Sequence, residues 1–152
     1  MLNAGKSRIW GIEVDASVKP FPGFKLDVGY AYLNTKLISF TVPALPVYYS
    51  SLTTQAQIGG PLSNAPKNRI TISGSYQLPL AESVGAVSIS ATYTHTDANR
   101  AVSPESSPLL YMVPASDLLN MNVDWKSVFG RPIDLGFFVT NLTNQHHLLA
   151  PD

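Results

Sequence analysis

The sequence has no cysteine and few charged side chains. The lack of cysteine excludes a disulfide framework, a thiolate zinc site and a cysteine nucleophile. Charged residues make up 13% of the chain, whereas soluble domains typically carry about 25%. Ten basic and ten acidic side chains cancel, and a chain without net charge produces no field that attracts nucleic acid. Nucleic acid is therefore not expected among its partners.

The sequence also has no long apolar run. A membrane-spanning helix needs about 18 to 20 consecutive apolar residues, and no segment of this chain approaches that length. The hydrophobic fraction is nevertheless an ordinary 45%. If the chain enters a membrane, it must therefore cross as β-strands.

The sequence does show a regular alternation of apolar and polar side chains. Between Trp10 and Val18 every even-numbered residue is apolar, and the odd-numbered residues are glycine, polar or charged. A strand places alternate side chains on opposite faces, whereas a helix would scatter the apolar residues around its circumference. The segment is therefore predicted to be a strand with one apolar and one polar face.

The same alternation returns in five later segments. With the first they give six predicted antiparallel strands, at residues 8–19, 24–36, 68–79, 86–97, 117–127 and 132–142. Phe138 is an exception, because it falls in the polar phase of the last strand. Each strand is about ten residues long, which is enough to cross a bilayer at a tilt and is about twice the mean strand length of soluble proteins.

The connections between these strands alternate between short and long. Short turns follow the first, third and fifth strands, whereas the segments 37–67 and 97–116 are long. Outer-membrane barrels have short periplasmic turns and long extracellular loops. The sequence therefore predicts an all-β fold, an antiparallel transmembrane β-barrel segment of about six long strands. The aromatic residues predicted to form belts at the membrane interfaces are Trp10, Phe24, Tyr30, Tyr32, Tyr76, Tyr93 and Trp125.

Several segments resemble TonB-dependent outer-membrane receptors. The pieces that resemble a hairpin of that family are GIEVDA at 11–16, PGFKL at 22–26 and YAYLN at 30–34. NAPKN at 64–68 resembles the stretch that re-enters the barrel after an outer loop. LLNMNV at 118–123 and VTNLTN at 139–144 resemble segments near the carboxyl end of the barrel. Each motif is short, but their order extends over nearly the whole chain.

The resemblance implies a transport function. Such receptors import scarce, bulky nutrients, most often ferric siderophores, across the bacterial outer membrane with energy from the TonB system. Residues 1–152 are expected to be part of the barrel domain, without the plug domain and final strand of the family. The segments 37–67 and 97–116 and the tail from 143 would help to capture ligand, and lipid would cover the apolar face. The polar residues expected to line the lumen and contact the plug are Glu13, Asp15, Lys25, Asp27, Arg69, Asn120, Asn122 and Asp124.

No catalytic, cofactor-binding or metal-binding residue is expected. His146 and His147 could ligate a metal, but adjacent residues of a strand point to opposite faces and cannot easily chelate together. Polarity of a loop is the simpler interpretation of this pair. His95 falls on the apolar face near the outer end of the fourth strand and is interpreted as interfacial. The chain contains serine, histidine and aspartate, but no Gly-x-Ser-x-Gly nucleophile turn.

Two other classes of protein remain open at this point. A soluble β-sandwich or a carbohydrate-binding module would also show alternating strands. An outer-membrane enzyme of the phospholipase or protease type would share the barrel. Solubility without detergent would favour the sandwich, and a polar cluster with a paired base on the polar face would favour the enzyme.

Overall fold

A computed structural model describes residues 5–40, 58–100 and 112–146. In chain order the strands are β1 (Gly5–Val18), β2 (Phe24–Phe40), β3 (Asn68–Gln77), β4 (Ala86–Thr96), β5 (Asn99–Arg100), β6 (Met112–Val113), β7 (Ser116–Lys126) and β8 (Leu135–Val139). A single turn of 3-10 type lies between the last two strands, at Val128–Gly130. Among the described residues, no helix is long and apolar enough to cross a membrane.

Six of the strands form one antiparallel sheet in the order β1-β2-β3-β4-β7-β8. Each strand therefore pairs with the long strand before it in the chain, which is an up-and-down meander without crossovers. The remaining two, β5 and β6, form a separate two-stranded ladder. Within the described ranges, β1 and β8 each have a neighbour on one side only, so the sheet has two open edges.

The six predicted strands are confirmed, and the ends that differ by three or more residues from the prediction are those of β1, β2 and β8. β1 begins at Gly5 rather than at residue 8. β2 extends to Phe40, beyond its predicted end at residue 36, because its pairing with β1 continues to Gly5 through an irregularity between Lys6 and Ser7. The predicted loop at 97–116 also contains the β5–β6 ladder. Residues 41–57, 101–111 and 147–152, which include parts of the predicted loops and tail, lie outside the described residues.

The last strand, β8, is shorter than the predicted 132–142. Pro132 has no N–H for a ladder, and the side chain of Asp134 turns back to accept a hydrogen bond from the Ser127 N–H at 2.8 Å. At the other end, the Asn141 N–H donates to the side-chain oxygen of Asn120 at 2.9 Å rather than to a backbone carbonyl. Both ends of the strand are thus drawn out of the ladder by side-chain hydrogen bonds.

The large sheet is a single layer. None of the described side chains is buried, and large apolar residues such as Ile12 and Phe137 are 56% and 64% exposed. A β-sandwich buries the inner faces of two packed sheets, and the described residues form no second sheet over the first. An exposed apolar face of this extent requires a cover, which lipid provides for a barrel wall.

The short turns interlock at one end of the sheet. The Gln77 N–H donates to the Gly23 carbonyl at 2.8 Å, which joins the β1–β2 turn to the end of β3. The Phe129 N–H donates to the Val84 carbonyl at 3.1 Å, which joins the β7–β8 turn to the β3–β4 turn. Gly85 sits where these two turns meet, with φ +96°, and a Cβ there would collide with the backbone carbonyls of Lys126 and Ser127. Only glycine fits this position without strain.

Candidate functional site

The pairing register separates the sheet into two chemically different faces. Residues directly opposite each other on neighbouring strands share a face, so the register can be followed in rows across the sheet. One such row contains Val14, Tyr30, Ile70, His95 and Asp117. It lies on the face that is otherwise apolar, which makes the last two residues unusual there.

The polar face contains every residue that the sequence predicts for the lumen. The eight side chains occupy the phase opposite to the apolar rows, namely Glu13, Asp15, Lys25, Asp27, Arg69, Asn120, Asn122 and Asp124. Phe138 also lies on this face, opposite Asn122, and is 77% exposed. This face of the sheet is therefore mostly hydrophilic, with the exposed phenyl side chain of Phe138 near its β8 edge.

Part of the polar face is connected by short-range polar contacts. The Lys25 ammonium lies 2.7 Å from a carboxylate oxygen of Asp27. The Ser90 hydroxyl donates to Asn122, whose amide nitrogen donates in turn to Asp124 at 2.8 Å. These contacts fix the side chains without burying them, which suits a wall that faces water.

Two carboxylates of the same face lie opposite residues with little or no side chain. Glu13 pairs with Ala31, and Asp15 pairs with Gly29. A Cβ at Gly29 would come within 3.0 Å of the Asp15 carboxylate, so the glycine leaves this carboxylate room. Both acids are exposed and are available to a partner that packs against the face.

Aromatic side chains form two belts on the apolar face. The lower belt, at the short-turn end, contains Phe21, Phe24, Tyr76, Trp125 and Phe129, with Phe21 stacked on Phe24 at 5.0 Å between ring centroids. The upper belt, at the long-loop end, contains Trp10, Tyr30, Tyr32 and Tyr93, with Trp10 and Tyr32 at 5.3 Å. All seven aromatic residues predicted for belts therefore lie on this face.

The separation of the belts matches a membrane. On β2 the belts are marked by Phe24 and Tyr32, and the eight residue steps between them span about 26 Å along the strand at ~3.3 Å per residue. At a strand tilt of about 40°, this corresponds to ~20 Å along the membrane normal, close to the ~25 Å apolar band of outer-membrane barrels.

A polar network crosses the upper belt between β4 and β7. His95 Nδ1 lies 2.7 Å from Asp117 Oδ1, and His95 Nε2 lies 3.2 Å from Asp97 Oδ1. Tyr93 donates its hydroxyl to the same oxygen of Asp117 at 2.5 Å. Because both ring nitrogens of His95 face carboxylates, neither is left to activate a serine, as a hydrolase triad would require.

The network continues to β2 and β3 through an asparagine. Asn68 donates its amide N–H to Asp97 Oδ2 at 2.6 Å and its backbone N–H to the same oxygen at 3.0 Å. Tyr30 donates its hydroxyl to Asn68 Oδ1 at 2.8 Å. The hydrogen bonds from the Asn68 side chain, followed by those from His95, hold the pKa of Asp97 below its usual value. Asp97 therefore acts as an ionised acceptor that ties the start of β3 to the end of β4.

A cavity of about 400 Å³ opens at the long-loop end. Its apolar lining includes Leu33, Leu62 and Met112, and its polar lining includes Asn34, Asn99 and Arg100. Two hydrogen bonds join its walls, since the Leu62 N–H donates to the Thr35 hydroxyl at 2.9 Å and the Asn64 N–H donates to the Arg100 carbonyl at 2.6 Å. The volume falls at the lower end of the roughly 300–1,000 Å³ of small-molecule sites.

A model of the TonB dependent receptor-like beta-barrel family matches residues 1–142. The chain belongs to this family. No curated protein and no solved structure matches the chain. As part of a TonB-dependent receptor barrel, the chain lies in the bacterial outer membrane and serves a receptor and transport function, and members of the family are transporters rather than enzymes.

The family membership gives the receptor barrel segment its orientation. The short-turn end is periplasmic, and the end with the long connections and the cavity is extracellular. The apolar face with its two belts faces lipid, and the network of His95, Asp97 and Asp117 lies on that face at its extracellular margin.

Two of the three histidines of the receptor barrel lie among the described residues, in different positions. His95 lies on the apolar face near the extracellular end of β4, where the sequence predicts it. His146 is exposed, and His147 lies outside the described residues. Within the described residues, no group of three potential metal ligands comes together.

Sequence reasoning missed the network around His95. A signal for it exists, because Asp117 and His95 both occupy the apolar phase of their strands near one end. Two polar residues in that phase on neighbouring strands indicate a polar contact at an interface. Their direct pairing depends on the register between β4 and β7, which alternation alone does not give.

Proposed function

We propose that this segment is part of a receptor that takes up a ferric siderophore, with energy from the TonB system. The observation that carries the proposal is the extracellular cavity, which joins apolar walls to amide and guanidinium donors. Ferric siderophores combine an organic scaffold with clustered oxygen ligands, and many carry negative charge. Apolar surface for the scaffold and N–H donors for the oxygens suit such a cargo.

The polar face supports the second part of the proposal. A plug domain inside the barrel needs a hydrophilic wall with free hydrogen-bonding groups, and Glu13 and Asp15 are exposed acids opposite small residues. The exposed ring of Phe138 offers an apolar contact on the same wall. We propose that these three residues contact the plug through which TonB acts.

A soluble β-sandwich or carbohydrate-binding module is not favoured. Such a domain would cover the apolar face of the sheet with a second layer, and the described residues form a single layer without a buried side chain. The two aromatic belts, about a membrane's apolar thickness apart, would have no purpose in such a domain.

Binding of radioiron-labelled complexes tests the cargo directly. The whole chain, refolded in detergent micelles, is incubated with a ferric tris-catecholate, a ferric hydroxamate or ferric citrate, and retained iron is measured against cobalamin and maltodextrin. At least one ferric complex is expected to bind saturably. Arg100→Gln is expected to weaken that binding about tenfold, because a charge-assisted hydrogen bond is lost.

Arg131→Gln is the matched control, since it removes the same charge at the periplasmic end. Saturable binding of cobalamin or maltodextrin, without binding of any ferric complex, would show that the cargo is not a siderophore. Equal loss in the Arg100 and Arg131 variants would show that the cavity is not the site.

A further inference from the structure

Two cations lie directly opposite each other on the lipid-facing side, just beyond the upper aromatic belt. Arg8 on β1 pairs with Lys36 on β2, two residue steps beyond the pair of Trp10 and Asn34. No irregularity interrupts the alternation between Ser7 and Val18, so Arg8 shares the face of Trp10 and Ile12. Both cations are exposed.

This pair has no acidic partner in the part of the chain that the structure describes. The ion pairs found there involve Lys25 and His95 as the basic groups, not Arg8 or Lys36. Glu13, the nearest acid along β1, lies on the opposite face. Like charges directly opposite each other destabilise a sheet. An anion bound between Arg8 and Lys36 would therefore reduce the repulsion between them.

The height of the pair matches a lipid headgroup. Arg8 lies two residue steps beyond Trp10, which is about 6.6 Å along the strand and about 5 Å along the membrane normal at a tilt of ~40°. Tryptophan belts mark the boundary between hydrocarbon and headgroups, and the headgroup layer adds roughly 5–8 Å on each side. The two cations are therefore placed within the headgroup layer of the extracellular leaflet.

A third cation reaches a ring of the same face, two rows below Lys36. The Lys67 ammonium is 5.6 Å from the centre of the Tyr32 ring, within the range of a cation–π contact. The Tyr32 ring contacts Trp10 in a tilted arrangement, with 5.3 Å between ring centroids. The ring of Tyr32 thus holds a positive charge close to the pair of cations, and that charge would add to the attraction of an anion.

We propose that Arg8 and Lys36 bind the phosphate of a glycolipid headgroup in the extracellular leaflet, above the floor formed by Trp10, Tyr32 and Lys67. The occupant is a lipid rather than a soluble phosphate, because the cations stand on the face that meets lipid and at the depth of headgroups. Arg8 and Lys36 do not line the cavity proposed for the cargo, although Lys67 borders both sites.

The two tryptophans of the chain permit a direct test. Trp10 lies beside the proposed site, and Trp125 lies at the periplasmic end. The whole chain, labelled with 5-fluorotryptophan and refolded in zwitterionic micelles, gives one ¹⁹F signal for each. Diphosphorylated lipid A is expected to move the Trp10 signal saturably and to leave the Trp125 signal in place.

Charge removal then separates the site from general attraction. The double variant Arg8→Gln/Lys36→Gln is expected to bind lipid A about 25-fold more weakly, since each cation near a charged lipid strengthens binding about fivefold. The single variants are each expected to lose about fivefold, and Arg8→Lys is expected to retain most of the affinity. Lys126→Gln/Arg131→Gln, which removes two cations at the other end, is the matched control.

The control for folding lies in the same spectra. Removal of two opposed like charges is not expected to unfold the hairpin. Without lipid, the Trp10 signal of the double variant is therefore expected to keep the separation from the Trp125 signal that the unsubstituted chain shows. If the double variant loses that separation, the affinities of the two single variants for lipid A decide the test.

Four results would overturn the proposal. These are affinity of the double variant within twofold of the native chain, equal binding of dephosphorylated lipid A, an equal loss in the control variant, and no lipid-dependent shift of Trp10. A shift of Trp10 by millimolar inorganic phosphate, competitive with lipid A, would assign the site to a soluble anion instead.

Discussion

The periplasmic and extracellular ends of this sheet are held together by different kinds of contact. At the periplasmic end, backbone N–H groups of one turn donate to carbonyls of the next, and aromatic rings pack over them. At the extracellular end, a chain of side-chain hydrogen bonds runs from Tyr30 to Asp117. The first arrangement is compact, so a larger side chain at Gly85 would collide with a neighbouring backbone. The second lies at the end from which the long connections between strands depart, and such connections commonly carry binding residues.

The largest expected effect tests the tight packing at the periplasmic end. Gly85→Ala places a Cβ against the carbonyls of Lys126 and Ser127 at φ +96°. We expect a loss of about 3 kcal/mol or more in the free energy of unfolding, because backbone strain of 1–3 kcal/mol is joined by a collision. Urea titration of the chain in micelles, followed by tryptophan fluorescence, measures the change.

The control for this prediction is Gly59→Ala at the extracellular end. Gly59 also has a positive φ, of +89°, but a Cβ there would meet nothing within 4 Å. The control is therefore expected to show the backbone strain alone, about 1–2 kcal/mol. Equal losses in the two variants would mean that the turns do not interlock as described.

A smaller effect is expected from the aromatic part of the same end. Trp125 donates its indole N–H to the Val84 carbonyl at 2.8 Å and packs edge-on against Phe129 at 5.1 Å. Trp125→Phe removes the hydrogen bond and some contact area, so we expect a loss of about 1–2 kcal/mol. Thermal or urea unfolding followed by circular dichroism is suitable, since one tryptophan is removed.

Trp10→Phe is the matched substitution at the extracellular end. Trp10 contacts Tyr32 at 5.3 Å, and this ring contact is the interaction found for its side chain in the described residues. A loss as large as that of Trp125→Phe would contradict the stated difference between the two ends.

The smallest effect on global stability is expected at the side-chain network. Asp117→Asn replaces a carboxylate oxygen that is shared by Tyr93 and His95. We expect faster amide hydrogen exchange at the extracellular ends of β4 and β7, with little change near Lys126. Asp124→Asn, on the polar face of the same strand, is the control and is expected to leave these amides unchanged. Uniform acceleration along β7 would indicate that the network stabilises the whole sheet.

The sequence predicts the periplasmic half of the sheet better than the extracellular half. Alternation is local, so it gives the strands and the face of each side chain, including the exposed Phe138 on the polar face. Short turns keep neighbouring strands in a narrow choice of register. The compact turn end therefore follows from residues that are close in the chain.

The extracellular contacts depend on residues far apart in the chain. Asn68 and Asp97 are 29 positions apart, and His95 and Asp117 are 22 apart. The register that joins them is fixed by whole-strand pairing rather than by any motif. The β5–β6 ladder and the cavity arise in the same way, which is why the loops carrying them were predicted only as loops. The early end of β8 depends on side-chain caps from Asp134 and Asn120, and alternation contains no information about them.

The two aromatic belts cross the rows of paired residues at an angle. This angle gives the tilt of the strands relative to the membrane normal. The row through Tyr93 meets β1 at Ala16, below Trp10, and the row through Phe24 meets β7 at Val123, above Trp125. Both belts descend in the same sense, the upper belt by six residues and the lower belt by two over three strands crossed, which is a mean of about 1.3 residues per strand. With ~3.3 Å per residue and ~4.8 Å between strands, that mean shear corresponds to a slope of about 43°, as in closed barrels. A strand that pairs with either open edge must continue the descent, so the position of its own aromatic residues is already set by this piece.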